Sequence, residues 1–272
     1  MKEPVRILSD LHLGHAASRV EEVEGLRPLI AGAGTVVFNG DTWQELATGQ
    51  RPRAERLLAD LRALCGEEGV ETVFLSGNHD PGWPGKGWIE LADGRIVVTH
   101  GDAVLWAGSP WSREAFEREA EVRRLWEEHH QASEDAGERL QLARAIARAL
   151  KAASYPKGRS LLRRVLDAVN PPRRAWEILS VWFSHFKATA GFARRYFPEA
   201  EIIVAGHFHW PGVRREDRCE VINTGAHLNP HPAWWVEWQD GWLRCGRVTS
   251  GPPWRMGEAS AVWHLPDQPS NS

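Results

Sequence analysis

The chain has 272 residues, of which 42% are hydrophobic and 25% are charged, so it can bury the core of one large domain or of a domain with an insertion. This composition excludes an intrinsically disordered or fibrous chain. The three cysteines stand far apart, at Cys65, Cys219 and Cys245. This usage excludes a disulfide framework and is typical of a reducing compartment.

The net charge of −3 conceals a strongly basic segment. Between Arg139 and Arg195 the chain has 13 basic and two acidic residues, which gives a local charge of 13 − 2 = +11. An excess of this size predicts an anionic partner for the segment.

The first residues of the chain contain no apolar signal-peptide core. No apolar run approaches the roughly 18 residues of a membrane-spanning helix. We therefore predict a cytoplasmic protein, for which peripheral contact with the inner membrane surface stays open.

Five runs of aliphatic and β-branched residues predict strands, and each run ends in a cluster containing Asp, Asn or His. The runs cover residues 5–9, 35–39, 71–76, 95–99 and 201–205. A leucine-rich stretch at 53–65 predicts a helix between the second and the third run. Such alternation indicates an α/β domain, in which ligands gather beyond the carboxyl ends of the strands. The polar clusters are therefore candidates for one shared site.

The segment 112–195 has helical periodicity instead. Apolar residues recur at helical spacing around 122–129, 143–150, 162–169 and 179–186, with Pro and Gly breaks between them. We predict a helical cap at 112–195, inserted into a core formed by 1–111 and 196–265, with a flexible tail at 266–272. The last helix is apolar nearly all round from Ile178 to Phe186, which predicts deep burial or cover by a ligand or membrane. Further strands are predicted at 219–223, 234–238 and 242–248.

Seven side chains in the polar clusters are candidate metal ligands. On an extended segment, the side chains of Asp10 and His12 would point the same way and share one ion. His207 and His209, which flank one residue at a strand exit, could reach two neighbouring ions. The complete set is Asp10, His12, Asp41, Asn78, His100, His207 and His209. Mixed nitrogen and oxygen donors suit Mn, Fe or Zn and not Ca, and seven donors suit two ions about 3.5–4 Å apart.

The motifs that carry these residues resemble the full motif set of the calcineurin-like metallophosphoesterases. They read Asp10-Leu11-His12, Gly40-Asp41, Gly77-Asn78-His79-Asp80, His100-Gly101-Asp102 and Gly206-His207-Phe208-His209. The resemblance implies an α/β fold, a four-layer α-β-β-α sandwich, and two divalent metal ions, Mn foremost, with Fe or Zn as alternatives.

By motif position, the resemblance implies that Asp10, His12, Asp41 and His209 hold one ion. Asp41, Asn78, His100 and His207 would hold the other, so that Asp41 bridges the pair. It also implies catalytic roles for three consecutive residues. Asn78 would orient the phosphate, His79 would protonate or stabilise the leaving oxygen, and Asp80 would orient His79.

The helical cap resembles that of the UDP-diacylglucosamine hydrolases, which have an apolar acyl groove and basic residues for nucleotide phosphates. It implies a hydrolase of a phosphodiester or pyrophosphate bond, with a nucleotide-linked lipid as one substrate and Arg159, Arg163 and Arg164 as substrate-binding residues. His79 stands where that subgroup usually has Arg, so another bulky diester or pyrophosphate stays open.

Three other functions stay open as well. A metal-dependent nuclease would use the basic segment against phosphate backbones, although we expect no nucleic-acid partner because that segment lacks an obvious stacking platform. The others are a phosphomonoesterase and a non-catalytic scaffold, which is disfavoured because no ligand is missing. The sequence leaves the oligomeric state undecided.

Overall fold

The computed structural model describes residues 1–109, 112–150 and 172–266. Its strands are β1 Val5–Leu8, β2 Thr35–Asn39, β3 Glu71–Leu75, β4 Trp88–Leu91, β5 Ile96–Thr99, β6 Ile202–Ala205, β7 Gly212–Glu216, β8 Cys219–Asn223, β9 Trp234–Gln239, β10 Trp242–Val248 and β11 Met256–His264. Its α-helices are α1 Arg27–Ile30, α2 Arg51–Glu67, α3 Arg113–Glu117, α4 Glu119–Glu128, α5 Ala136–Leu150 and α6 Pro172–Tyr196. Short 3-10 helices cover Val23–Leu26, Asp102–Val104 and His130–Ser133.

The described strands form two sheets. One has the order β11-β10-β9-β1-β2-β3 and the other the order β4-β5-β6-β8-β7. The centre of each sheet is parallel: β1 pairs with β2 and β2 with β3 in the first, and β5 pairs with β6 and β6 with β8 in the second. Parallel strands place their carboxyl ends at one edge, so the residues that follow these six strands can meet.

Apolar side chains define four layers. Ile7 and Val37 of the first sheet pack against Val98 and Val204 of the second in a core between the sheets. On the outer face of the first sheet, Leu61 of α2 belongs to a second core cluster. The outer face of the second sheet is covered by α5 and α6, whose apolar residues form a third cluster with those of β5, β6 and β8. This α-β-β-α order confirms the predicted four-layer fold.

The outer helical layer on the second sheet therefore comes from α5 and α6, which lie mostly in the segment predicted to be a cap. Its helices α4 and α5 also share a cluster of their own, which includes Val122, Leu125, Leu142 and Ile146. The predicted helix at 162–169 and residues 267–272 of the predicted tail lie outside the described residues. The division into a core of 1–111 and 196–265 and a cap of 112–195 stays a prediction.

The helix α6 is buried on one side only. Val181 and Phe186 are buried, but Trp176 is 72% exposed, Trp182 48% and Phe183 79%. Deep burial, the first of the two predicted alternatives, is therefore wrong, because a helix can turn only one face toward the sheet that it covers. Cover of the exposed face by a ligand or membrane stays a prediction. No helix in the described ranges is long and apolar enough to cross a bilayer.

Candidate metal centre

The seven candidate ligands converge at the edge where the parallel strands of both sheets end. Asp10 follows β1, Asp41 follows β2 and Asn78 follows β3 in the first sheet. His100 follows β5 and His207 follows β6 in the second sheet. The site thus lies across the gap between the two sheets, as expected for ligands carried on strand exits.

The ligand atoms form two groups with a common member. In each group the carboxylate oxygens and ring nitrogens lie within 4.8 Å of one another. The first group contains Asp10, His12, Asp41 and His209, and the second contains Asp41, His100 and His207. Asn78 joins the second group, because its Oδ1 atom lies 3.4 Å from Nε2 of His100. Membership of the groups matches the division that the family resemblance implies.

The backbone at most of these residues is left-handed. The φ angle is 52° at Asp10, 48° at His12, 49° at Asp41, 64° at His207 and 56° at His209. Asp10 and His12 therefore do not lie on an extended segment, and the predicted reason for their convergence is wrong. Positive φ values at non-glycine residues cost energy and cluster at functional sites.

Glycines make room for the two carboxylates. A Cβ atom on Gly206 would collide with the Asp10 carboxylate, and one on Gly77 would collide with the Asp41 carboxylate. Asp10 is further held by the Ser9 hydroxyl, which donates to its Oδ2 atom at 2.6 Å. Close approach of backbone to side chain is the reason for glycine at these two positions.

Hydrogen bonds fix which ring nitrogen His100 and His207 offer to the cluster. The Nδ1 atom of His100 lies 3.0 Å from the carbonyl oxygen of Asn39, to which its N–H can donate. The other ring nitrogen, Nε2, then faces the Asp41 carboxylate at 3.4 Å. His207 uses the opposite nitrogen, with Nε2 at 3.2 Å from the Gly108 carbonyl. Such contacts orient metal-binding histidines and set their tautomer.

The electrostatics favour charged carboxylates. Burial raises the pKa of Asp10 and of Asp41, but the charge of His100 and the other neighbouring histidines outweigh it, so both pKa values lie below the usual range. Burial lowers the pKa of His100, and the charges of Asp41 and Asp10 more than reverse this, raising it well above the usual value. Burial lowers the pKa of His207 to about 3.

These residues fit a pair of divalent cations. The two carboxylates are ionised at neutral pH, His207 is neutral, and nitrogen and oxygen donors are mixed. The shared carboxylate of Asp41 can bridge two ions, and each group has enough donors to hold one. The cluster is therefore a His/Asp site for divalent metal, and the individual ligand roles stay predictions.

His79 lies at the opening of the cluster. Its side chain is 23% exposed, and its Nε2 atom lies 3.9 Å from Oδ2 of Asp41. Burial lowers the pKa of His79 to about 3, against the opposing charge of Asp41. The ring is therefore neutral at physiological pH.

Asp80 does not orient His79 as predicted. Its carboxylate accepts hydrogen bonds from the backbone N–H groups of Asp41 at 2.9 Å, Thr42 at 2.8 Å and Gly77 at 2.9 Å, and from the Trp83 indole at 2.9 Å. The physical reason is that backbone N–H groups at the start of two loops converge on one buried position. A carboxylate at that position can accept hydrogen bonds from all of them. Asp80 thus holds the Asp41 backbone in place.

Gln44 bonds the His79 ring instead, a role that the sequence analysis did not assign. Its Oε1 atom lies 3.0 Å from Nδ1 of His79, and its Nε2 atom lies 3.0 Å from Nδ1 of His12. The only signal in the sequence was its position three residues after Asp41, near a predicted site. A buried glutamine beside two histidines could not be recognised without the fold.

Two further histidines border the first group. The ring of His15 lies 6.0 Å from that of His12, and the ring of His231 lies 5.5 Å from that of His209, between centroids. Burial lowers the pKa of His15 to about 4 and also lowers the pKa of His231. Both rings are neutral at pH 7.

The predicted substrate-binding residues Arg159, Arg163 and Arg164 lie outside the described residues. Two basic residues of α5 contact the loop that carries Asn78 and His79. Arg144 donates to the Ser76 hydroxyl at 2.9 Å and to the Gly85 carbonyl at 2.8 Å, and Arg148 donates to the Pro81 carbonyl at 2.9 Å. These two arginines hold the loop.

The fold and the His/Asp cluster define a metal-dependent hydrolase of phosphoester bonds. A sequence profile of the calcineurin-like phosphoesterases matches residues 3–211. The chain belongs to this family and is a metallophosphoesterase. No curated protein matches the sequence.

Several solved structures are similar to the chain. A dimetal phosphatase from Danio rerio has 13% identity and a TM-score of 0.48, with 97% of this chain and 100% of that chain covered. A predicted phosphoesterase from Streptococcus pneumoniae has 15% identity, a TM-score of 0.41 and coverage of 97% and 98%. The zinc complex of Vps29 from Entamoeba histolytica has 15% identity, a TM-score of 0.42 and coverage of 90% and 91%.

Proposed function

We propose that the chain hydrolyses a phosphodiester or pyrophosphate bond at a dinuclear metal site, with Mn as the foremost metal. The observation that carries the proposal is the pair of ligand groups that share Asp41. Two divalent cations bound there would activate water at neutral pH and neutralise charge on the phosphate. The ligands would be the seven predicted residues: Asp10, His12, Asp41, Asn78, His100, His207 and His209.

The protein's own residues supply the remaining functions. The Asn78 amide, beside His100, can orient a phosphate oxygen as well as a metal ion. His79 faces the cluster with Nε2 and can donate a hydrogen bond to the leaving oxygen. Asp80 keeps the Asp41 backbone in position through the hydrogen bonds of its carboxylate.

The charge around the site supports a monoanionic phosphate. His15, His79 and His231 border the cluster, and all three are neutral at pH 7 because burial lowers each pKa. A phosphodiester has one negative charge on its phosphorus, as has each phosphorus of a disubstituted pyrophosphate, whereas the phosphorus of a monoester carries close to two and gains more from cationic side chains. This argument favours a diester or pyrophosphate over a monoester.

The finer form of the proposal is a lipid-linked substrate of the UDP-diacylglucosamine kind. It is supported by exposed aromatic side chains beside the site. Trp210, which directly follows His209, is 55% exposed, and its ring lies 5.8 Å from that of Trp182 on α6, which is also exposed. An exposed apolar patch of this type marks a binding surface for apolar groups. Action in the cytoplasm and peripheral contact of the cap with the inner membrane stay part of the proposal.

The test compares turnover of bis(p-nitrophenyl) phosphate and p-nitrophenyl phosphate by Mn-loaded protein. We expect the diester to be cleaved faster, and Asp41→Ala to reduce cleavage by about 1,000-fold or more because the shared ligand is lost. Asp93→Ala, in an exposed hairpin, is the matched control and should retain wild-type activity.

Two results would contradict the proposal. Full activity of the folded Asp41→Ala variant would remove the dinuclear site from the reaction. A preference for the monoester would reject the diester proposal. Release of UMP from UDP-diacylglucosamine in mild detergent tests the finer form, and its absence would reject that substrate while leaving the general reaction in place.

A further inference from the structure

Gln44 connects a candidate metal ligand with the histidine at the opening of the site. Each end of its amide lies 3.0 Å from Nδ1 of one ring, His12 on one side and His79 on the other. The side chain is 1% exposed, so the amide is shielded from water. An amide has one acceptor end, its oxygen, and one donor end, its NH₂ group. If one ring donates its Nδ1 proton to the oxygen, the NH₂ group is therefore left to donate to Nδ1 of the other ring.

The direction of this chain of hydrogen bonds follows from His12. Its Nε2 atom faces the ligand cluster, at 3.7 Å from Asp10, 3.6 Å from Asp41 and 3.3 Å from His209. A neutral imidazole that offers Nε2 to a cation carries its proton on Nδ1. That proton must then be donated to the oxygen of Gln44.

The amide nitrogen of Gln44 then faces His79. A half-turn of the amide exchanges its oxygen and nitrogen without moving other atoms, and both contacts have the same length. With the NH₂ group donating to Nδ1 of His79, the proton of that neutral ring must sit on Nε2. This is the nitrogen that faces Asp41 and the cluster.

We propose that Gln44 is a positioning residue that couples metal binding at His12 to the proton position on His79. When His12 holds a cation, the Gln44 amide places the His79 proton on Nε2, where it can be donated to a phosphate oxygen. The inference rests on the proposed function. It extends the pattern seen at His100 and His207, whose outer nitrogens face the Asn39 and Gly108 carbonyls.

A carboxylate in place of the amide would have the opposite effect. Glutamate at this position has acceptors only, so both rings would donate to it through Nδ1. A neutral His79 ring would then present an unprotonated Nε2 to the substrate. Gln44→Glu therefore separates the proposed role from a merely space-filling one.

The experiment reads the tautomers directly. Protein labelled with ¹⁵N at histidine is loaded with Zn²⁺, which is diamagnetic, and two-bond ¹H–¹⁵N correlations show which ring nitrogen carries the proton. The His79 signals are assigned by their loss in His79→Asn. We expect the proton on Nδ1 of His12 and on Nε2 of His79 in wild type, and on Nδ1 of His79 in Gln44→Glu. Gln141→Glu, an exposed change on α5, should match wild type.

A second measurement protects the test against a variant that fails to fold. Competition with a chromophoric chelator gives the Zn²⁺ affinity, which Gln44→Leu should weaken by about 10- to 100-fold, as for other residues that orient ligands. Gln141→Leu should leave it unchanged. A Zn-loaded wild type with the His79 proton on Nδ1 would overturn the inference alone. Failure of wild type to bind Zn²⁺ would overturn both the inference and the proposed function.

Discussion

At the scale of single residues, the site depends on unusual backbone conformations. Five of the seven candidate ligands have φ between 48° and 64°. Such residues cost about 1–3 kcal/mol each and persist only where the surroundings hold them. At Asp41 that support includes Asp80, whose carboxylate accepts the Asp41 N–H at 2.9 Å. The backbone of Asp41 is therefore held by a residue outside the set of candidate ligands.

This support predicts the effect of replacing Asp80. The two carboxylate oxygens of Asp80 together accept hydrogen bonds from four close N–H donors. In Asp80→Asn an NH₂ group replaces one of these oxygens, so at least one buried N–H group loses its acceptor. We expect the free energy of unfolding of the metal-free protein to fall by about 1–3 kcal/mol, as measured by urea denaturation.

The matched control is Asp93→Asn, on an exposed turn whose φ of 56° asparagine also tolerates. This control should change the free energy of unfolding by less than about 0.5 kcal/mol. An Asp80→Asn variant as stable as the control would mean that the carboxylate does not hold the Asp41 loop.

At the scale of elements, the strands that carry the site were predictable, and three of the four edge strands were not. The predicted runs at 35–39 and 219–223 coincide with β2 and β8, because buried parallel strands are continuous apolar runs. The strands β4, β7 and β11 were missed. They lie at sheet edges, where charged residues such as Glu90, Arg214 and Glu258 interrupt any apolar pattern.

The helix α6 has two faces with different roles. Phe186 and Ala190 pack on the second sheet, while Trp182, whose ring lies near that of Trp210, and Phe183 are exposed. If the exposed aromatic rings bind an apolar part of the substrate, Trp182→Ala should raise KM about tenfold for a phosphodiester with a long acyl chain. KM for bis(p-nitrophenyl) phosphate should change less, because that substrate has no acyl chain to lose contact with the helix.

The matched control is Trp242→Ala, which removes an exposed tryptophan of β10 that stacks on His264 of β11, in the sheet that α6 does not cover. It should leave KM for both substrates unchanged. Equal KM values for the acylated substrate in wild type and Trp182→Ala would exclude α6 from substrate binding.

At the scale of the whole molecule, the sequence predicted the site better than its surroundings. The order of the motifs and their positions after apolar runs selected seven residues that the structure brings together, and their roles as ligands stay predictions. The left-handed backbone at Asp10 and His12, the bridging Gln44 and the role of Asp80 were not predictable. These features arise from the loops after β1, β2 and β3, which meet only once those strands have paired, and local patterns do not contain that information.

The inserted segment illustrates the same limit. Its helical periodicity predicted helices in α4, α5 and α6, but their place in the molecule did not follow from periodicity. Leu140 of α5 and Phe186 of α6 belong to the cluster that covers the second sheet. Part of the segment thus completes the four-layer fold.

The measurement that tests the central claim most directly is a calorimetric titration of metal-free protein with Mn²⁺ or Zn²⁺. The two ligand groups that share Asp41 predict a stoichiometry of two ions per chain. Binding should also raise the thermal unfolding midpoint, since the ions bind the folded state. A stoichiometry of one ion or none, in protein that is fully folded, would contradict the dinuclear site.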